Sequence, residues 1–167
     1  MSKINSVMMR TAHNFASLSS ANRKKVGAVL SNNGRIVACG YNGTIPGADN
    51  KCEIVCQDCD GYKLSGKPKW QDNQYIESTC KRCGGQGEVT SEFVLHAEQN
   101  ILTFCNREGL KTDGCTLYVT MAPCKTCSKL IVSAGIKEVF YDEEYRDLSG
   151  VQFLKDIGLK VEQIKGN

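Results

Sequence analysis

Histidine is scarce in this chain. His13 and His96 are the only two, so any imidazole metal ligand or base must be one of them. No stretch approaches the roughly eighteen consecutive apolar residues of a membrane helix, and the amino terminus has no apolar core followed by a small-residue cleavage site. Neither a membrane partner nor a secretory route is expected, and the cytoplasm is the expected compartment. Acidic residues are missing from the first thirty positions, where Lys3, Arg10, Arg23, Lys24 and Lys25 supply charge of one sign. Such a cluster either lies solvated or attracts a phosphate. The net charge of +3 is too small to imply a stable nucleic-acid partner, although it suffices for a small anionic substrate or effector.

What the chain does have is sulfur. Ten of its 167 residues are cysteine, against 41% apolar and 23% charged residues overall. That balance suits an ordered globular chain, and the length suits one domain spanning 1–167 with a real core. In the absence of a secretion signal, spaced pairs read as metal ligands before disulfides. The pairs are Cys56-x2-Cys59, Cys80-x2-Cys83 and Cys124-x2-Cys127.

From about 43 to 90 the sequence is polar and glycine-rich, and a structureless loop of that length needs something other than a hydrophobic core to organise it. Two CxxC turns separated by 20 residues can satisfy a tetrahedral zinc with four thiolates. An insertion at about 50–88, built as a four-cysteine zinc knuckle on Cys56, Cys59, Cys80 and Cys83, is therefore expected. Gly84, Gly85 and Gly87 would allow the tight turn beside the sulfurs. Free thiols, or Cys52 in place of one of the four, stay open at this point.

Periodicity supplies the frame. Apolar residues recur at helical spacing from Ile4 to Leu18, predicting a helix over 3–19. Val26–Leu30 and Ile36–Tyr41 flank an Asn-Gly turn and predict a hairpin. Ser91–Arg107 lacks Pro and Gly and predicts a helix with Glu92 in its first turn. A strand over Cys115–Thr120, a helix from about 124 to 134 with Pro123 at its first position, a strand over Ile136–Tyr141, a helix over Leu148–Ile157 and a strand over Leu159–Ile164 follow. Such alternation belongs to an α/β fold with helices on both faces of a mixed sheet.

Two short motifs carry the chemistry. His96-Ala97-Glu98 and Pro123-Cys124-x2-Cys127 together form the two-part signature of zinc nucleobase deaminases. Either half alone is weak. Three ligands, His96, Cys124 and Cys127, would leave a fourth zinc position for water, whose pKa the metal lowers. Glu98 lies two residues from His96, off the same helical stripe, where it can move protons without ligating. A structural zinc site completed by Cys39 or Cys105 is the bland alternative. His13 belongs to no motif.

Beyond these motifs, Val26-Gly27-Ala28-Val29, Gly34-Arg35-Ile36-Val37, Gly40-Tyr41-Asn42-Gly43-Thr44 with Pro46-Gly47, His96 to Asn100, Leu117 to Thr120 and Tyr141 to Asp147 extend a resemblance over most of the chain. The sequence resembles the deoxycytidylate (dCMP) deaminase family of viral or bacterial type, within the zinc-dependent cytidine deaminase superfamily. The resemblance implies a three-layer α/β/α fold with a five-stranded mixed sheet and hydrolysis of dCMP to dUMP with release of ammonia. It also implies Asn42 near the deoxyribose, the backbone at Ala97 near the exocyclic amine, and Val26 and Tyr118 near the base. Tyr145 and Arg146 would help to position phosphate. Family members are typically homohexamers or smaller assemblies, activated by dCTP with Mg2+ and inhibited by dTTP, and Arg23, Lys24 and Lys25 are the local candidates for effector phosphates. The family's second zinc site has mixed Cys and His ligands. This chain has no spare histidine there, so an all-cysteine site is expected instead. The competing readings are deamination of CMP, of a modified dCMP or of tRNA adenosine, and a non-catalytic zinc-stabilised nucleic-acid-binding protein.

Overall fold

The computed structural model describes residues 2–59, 69–71, 74–76 and 80–165. Strands β1 (Gly27–Asn32) and β2 (Arg35–Tyr41) form the first hairpin. Asn33 (φ 49°) and Gly34 (φ 75°) both occupy the left-handed region between them, which Asn tolerates and Gly adopts freely, so the turn matches the twist of the strands. Strands β3 (Thr116–Met121), β4 (Glu138–Glu143) and β5 (Lys160–Gln163) complete a five-stranded sheet in the order β5-β4-β3-β1-β2. The β3–β4 and β4–β5 pairs are parallel, and β1 runs antiparallel to both of its neighbours.

The alternation of side chains along each strand divides the core into two layers. Val29, Tyr118 and Phe140 face helix α1 (Lys3–Ala16) and pack on its Met8, Met9 and Ala12. Leu30, Leu117, Val119 and Val139 face the opposite way, onto Ile101 of helix α2 (Ala97–Arg107), Ile131 of α3 (Lys125–Ser133) and Leu154 of α4 (Ser149–Asp156). Each of these buried aliphatic chains contributes about 1.5–3 kcal/mol over an exposed one. The expected three-layer arrangement around a mixed five-stranded sheet is thus present. Among the described residues, no helix is long and apolar enough to cross a membrane.

Strand direction decides where the layers open. Because β1 is antiparallel to β3, the start of β1, the end of β2 and the carboxyl ends of β3 and β4 share one edge of the sheet. In open α/β sheets ligands collect at such an edge.

Two helix starts differ from expectation. Helix α2 begins at Ala97, six residues later than Ser91, because Val94–Leu95 pairs with Gly43–Thr44 as a short antiparallel ribbon. His96 caps the helix, with its amide donating to Gln99 Oε1 at 2.9 Å. Glu92 therefore lies outside the helix. Pro123 sits before the cap residue Cys124 of α3, and is not the first helical residue. Helix α1 ends at Ala16, three residues early, and Ser19 turns to donate to the Asn42 carbonyl at 2.7 Å.

The insertion carries an antiparallel ribbon, Glu53–Val55 with Glu88–Thr90, and a short strand pair, Lys69–Gln71 with Gln74–Ile76. The rest of its middle, 60–68, 72–73 and 77–79, lies outside the described residues. Among the described residues its buried cluster consists of Cys56, Cys83 and Val89, with Cys59 and Cys80 packed against them. Sulfur makes up most of that cluster.

Candidate metal centres and active site

The first helical turns of α2 and α3 converge at the open edge of the sheet. His96 is the cap residue of α2 and Cys124 that of α3, and Cys127 follows one turn later. His96 Nδ1 lies 3.7 Å from Cys124 Sγ and 3.4 Å from Cys127 Sγ. A tetrahedral zinc with its usual bond lengths separates an N and an S ligand by about 3.5 Å, so the donors fit the metal as they stand. Among the described residues, no fourth His, Cys, Asp or Glu donor joins them. Cys105 is buried in the main core, and Cys39 packs with the α1 layer. Neither completes the group.

The electrostatics suit a cation. Hydrogen bonds from Cys127 and His96 hold the Cys124 thiol down at about 3. The same Cys124 contact raises His96, and contact with Cys124 together with burial raises Cys127. Metal binding displaces the protons that such donors carry. Glu98, in the first turn of α2, is 4% exposed and reaches Cys127. Burial pushes its carboxyl above the ordinary carboxylate range, while the His96 charge opposes the rise.

A cavity of about 610 Å³ opens in front of this trio. His96, Glu98, Cys124 and Ala97 line it, with Val26, Asn42, Met121, Ala122, Tyr145 and Arg146 from the strand ends. Arg23 and Lys24 line the same space, and Lys25 does not. Lys24 Nζ pairs with Glu143 at 3.0 Å, and Arg146 stacks over the Tyr145 ring at 5.6 Å. Tyr118 points away from the cavity, into the α1 layer, where its ring stacks on Phe140. The Asn42 amide is largely committed to the chain itself, since its Oδ1 accepts from Val26 N at 2.8 Å and its Nδ2 donates to the Lys24 carbonyl at 2.9 Å. One amide hydrogen and one lone pair stay open to a ligand.

The second cluster is made of Cys56, Cys59, Cys80 and Cys83. Sγ–Sγ distances are 3.7 Å for Cys56–Cys80 and 3.6 Å for Cys59–Cys83, close to the roughly 3.8 Å edge of a four-thiolate zinc tetrahedron and far beyond a disulfide bond of about 2.05 Å. Cys52 is not among the four; it is buried with its Sγ 3.3 Å from Ser20 Oγ. Burial and the neighbouring thiols push Cys59 up to about 12. Burial opposes the opposite shift at Cys83, but the Gly87 amide and neighbouring thiols bring it down to about 6. Gly84, Gly85 and Gly87 all have positive φ, as the tight turn requires, and Gly87 N donates to Cys83 Sγ at 3.3 Å.

Two helix-capping metal donors, a third donor one turn on and a buried acid at the mouth of a cavity accord with what sequence comparison finds. Residues 2–143 match the cytidine and deoxycytidylate deaminase zinc-binding region. The chain belongs to that deaminase family. It is 37% identical to the deoxycytidylate deaminase of Enterobacteria phage T4 over 134 residues, 72% of this chain and 68% of that one. It is 33% identical to the ComE operon protein 2 of Bacillus subtilis over 162 residues, 96% and 71% of the two chains. The crystal structure of the dCMP deaminase from cyanophage S-TIM5, solved with dCMP and dUMP, superposes with a TM-score of 0.74 at 34% identity, covering 98% of this chain and 99% of that one. At 20% identity, the diaminohydroxyphosphoribosylaminopyrimidine deaminase/5-amino-6-(5-phosphoribosylamino)uracil reductase of Thermotoga maritima shares the fold, with a TM-score of 0.62.

Three features of this deaminase chain escaped the sequence reading. Glu53 and Arg82, both from the insertion, line the same cavity as His96, Glu98 and Cys124. Nothing in a Cys-rich loop signals where its polar residues will end up. Gly150 is the second: a Cβ there would meet the Pro123 carbonyl at 2.2 Å and the Cys124 carbonyl carbon at 2.6 Å, so α4 packs flush on the cysteine turn only because the side chain is absent. The third is His13, whose Nε2 meets the buried Asp142 Oδ2 at 2.7 Å across 129 residues of sequence. Its partner could not be read from its neighbours.

Proposed function

We propose that this chain is a zinc-dependent hydrolase that converts dCMP to dUMP and ammonia. The observation that carries the reading is the His96–Cys124–Cys127 donor set with buried Glu98 beside it, at the wall of a nucleotide-sized cavity. Likeness along nearly the whole chain to a dCMP deaminase crystallised with dCMP and dUMP supports the substrate. His96, Cys124 and Cys127 would hold the catalytic zinc, which when bound acts as a Lewis acid and supplies a water nucleophile near neutral pH. Glu98 takes one proton from the attacking water and delivers it to the pyrimidine ring nitrogen. It then takes the remaining proton from the hydroxyl of the adduct and passes it to the departing amine, so that ammonia leaves and the carbonyl of dUMP forms. The backbone at Ala97 holds the exocyclic amine, and the open valences of Asn42 meet the deoxyribose. Arg23, Tyr145 and Arg146 serve the phosphate. Among the described residues neither Arg23 nor Arg146 is in an ion pair. A second zinc belongs to the four cysteines.

Activation by dCTP with Mg2+, inhibition by dTTP, a homohexameric assembly and a cytoplasmic setting are part of the same proposal, supported by family resemblance. Placement of Arg23 and Lys24 along the substrate cavity favours a substrate role for these two over an effector role. The test is ammonia release from dCMP, CMP, 5-modified dCMP and a tRNA substrate, each with and without dCTP–Mg2+ or dTTP. Stoichiometric dUMP from dCMP is expected. A zinc-loaded protein that never converts dCMP sinks the proposal, and inosine formed in tRNA replaces it.

A further inference from the structure

The insertion is joined to the cavity as well as to its own sulfur cluster. Its first ribbon strand begins at Glu53. The Glu53 carboxylate accepts the Asn22 amide at 3.0 and 3.1 Å and the Arg23 amide at 3.1 Å. Beside it, Ser20 Oγ donates to Asn50 Oδ1 at 3.0 Å and touches Cys52 Sγ. The basic loop after α1 is thus clamped along residues 20–23 to the entry of the insertion. Carboxylates accepting backbone amides make strong, charge-assisted bonds.

On the other side of the ribbon, Arg82 lies within the second knuckle, Cys80-Lys81-Arg82-Cys83, and its Nη1 donates to Asp58 Oδ1 of the first knuckle at 3.0 Å. That contact joins the two CxxC segments and uses one of the five guanidinium donors. Among the described residues no other hydrogen bond uses the guanidinium, and its planar fork suits a bidentate acceptor such as phosphate. Arg82, Glu53 and Arg23 all line the cavity that His96, Glu98 and Cys124 also line. Glu53 accepts two backbone amides, Lys24 is paired with Glu143 and Arg82 with Asp58, while Arg23 is in no ion pair among the described residues, so this part of the wall offers one unpaired guanidinium beside one engaged through a single nitrogen.

We propose that the cysteine insertion forms the phosphate-selecting wall of the nucleotide site, with Arg82 as a phosphate contact and Glu53 as a positioning residue that holds the Arg23 loop. This rests on the dCMP reading above. A charged hydrogen bond contributes about 1.5–3 kcal/mol, so Arg82→Ala should raise KM for dCMP about ten- to a hundredfold while kcat and the kinetics on deoxycytidine stay close to wild type. Arg82→Lys should recover part of the loss. Glu53→Gln should raise KM for dCMP by a smaller factor, with no change on deoxycytidine. Zinc content and melting temperature report on folding. Should Arg82→Ala fold poorly, the Arg82→Lys variant carries the same comparison.

Calorimetric binding of dCMP and deoxycytidine to the zinc-loaded Glu98→Gln protein, with and without Arg82→Ala, supplies a readout independent of turnover. Equal weakening of both ligands, or of neither, overturns the wall. If the wild-type protein deaminates neither compound but Arg82→Ala still weakens dCMP binding selectively, the substrate reading falls and the wall stands.

Discussion

The chain holds two sulfur clusters that were built in opposite ways. Around His96, Cys124 and Cys127 the surrounding residues Ala97, Ile101 and Ile131 are fully buried, and the helices they belong to rest on the sheet. Around Cys56, Cys59, Cys80 and Cys83, the only other buried member of the cluster among the described residues is Val89. Where a hydrophobic core has already placed the donors, three are enough, and a fourth position can be left to chemistry. Where the donors must themselves serve as the core, all four are used for holding. The difference teaches that the same CxxC spacing acquires its role from what stands behind it.

The sharpest way to break this contrast is to withdraw zinc. Structural sites in zinc-finger peptides draw on the order of 10–16 kcal/mol from metal binding at neutral pH, whereas the sheet has its own apolar core. With a chelator, amides of the ribbon strands Glu53–Val55 and Glu88–Thr90 should lose hydrogen-exchange protection while those of Leu30, Val119 and Val139 keep it. Uniform loss in both regions would erase the distinction.

Next in size is Glu98→Gln. Removing a positioned acid and base should cost about 10²- to 10⁴-fold in turnover, with both zincs retained in metal analysis and an unchanged melting temperature. A variant that loses the first zinc would instead make Glu98 part of the metal's support.

The smallest expected effect sharpens the contrast from the side of packing. Gly150→Ala places a methyl group 2.2 Å from the Pro123 carbonyl oxygen, which neither backbone can accommodate without shifting. Overpacking of this kind costs about 1–3 kcal/mol. Thermal melting should drop, and zinc affinity should weaken at His96–Cys124–Cys127 while the four-cysteine cluster is unaffected. Equal weakening at both clusters would show that the two do not depend on separate supports.

Legibility followed the range of the interactions. The hairpin could be read because Asn33 and Gly34 specify a left-handed turn on their own, and the two helical layers because helix and strand patterns alternate along the chain. The start of α2 was misread at Ser91 because the pairing of Val94–Leu95 with Gly43–Thr44 joins segments about fifty residues apart. The same holds for Pro123, which is set by the cap at Cys124 and the close approach of α4. His13 had no local signal at all, since its carboxylate partner Asp142 arrives from β4.

By itself the sequence determined which chemistry is possible: His-x-Glu, Pro-Cys-x2-Cys and two further CxxC turns are local patterns, and the chemical nature of a donor does not depend on its surroundings. Tertiary structure decided which donors come together and what they face. It grouped Cys56, Cys59, Cys80 and Cys83 without Cys52, kept Cys39 and Cys105 out of the His96–Cys124–Cys127 group, and brought Glu53 and Arg82 to the wall of the cavity. The physical reason is that distances of a few ångströms between residues far apart in sequence are set by how strands, helices and ribbons pack, and no short window of sequence encodes that packing.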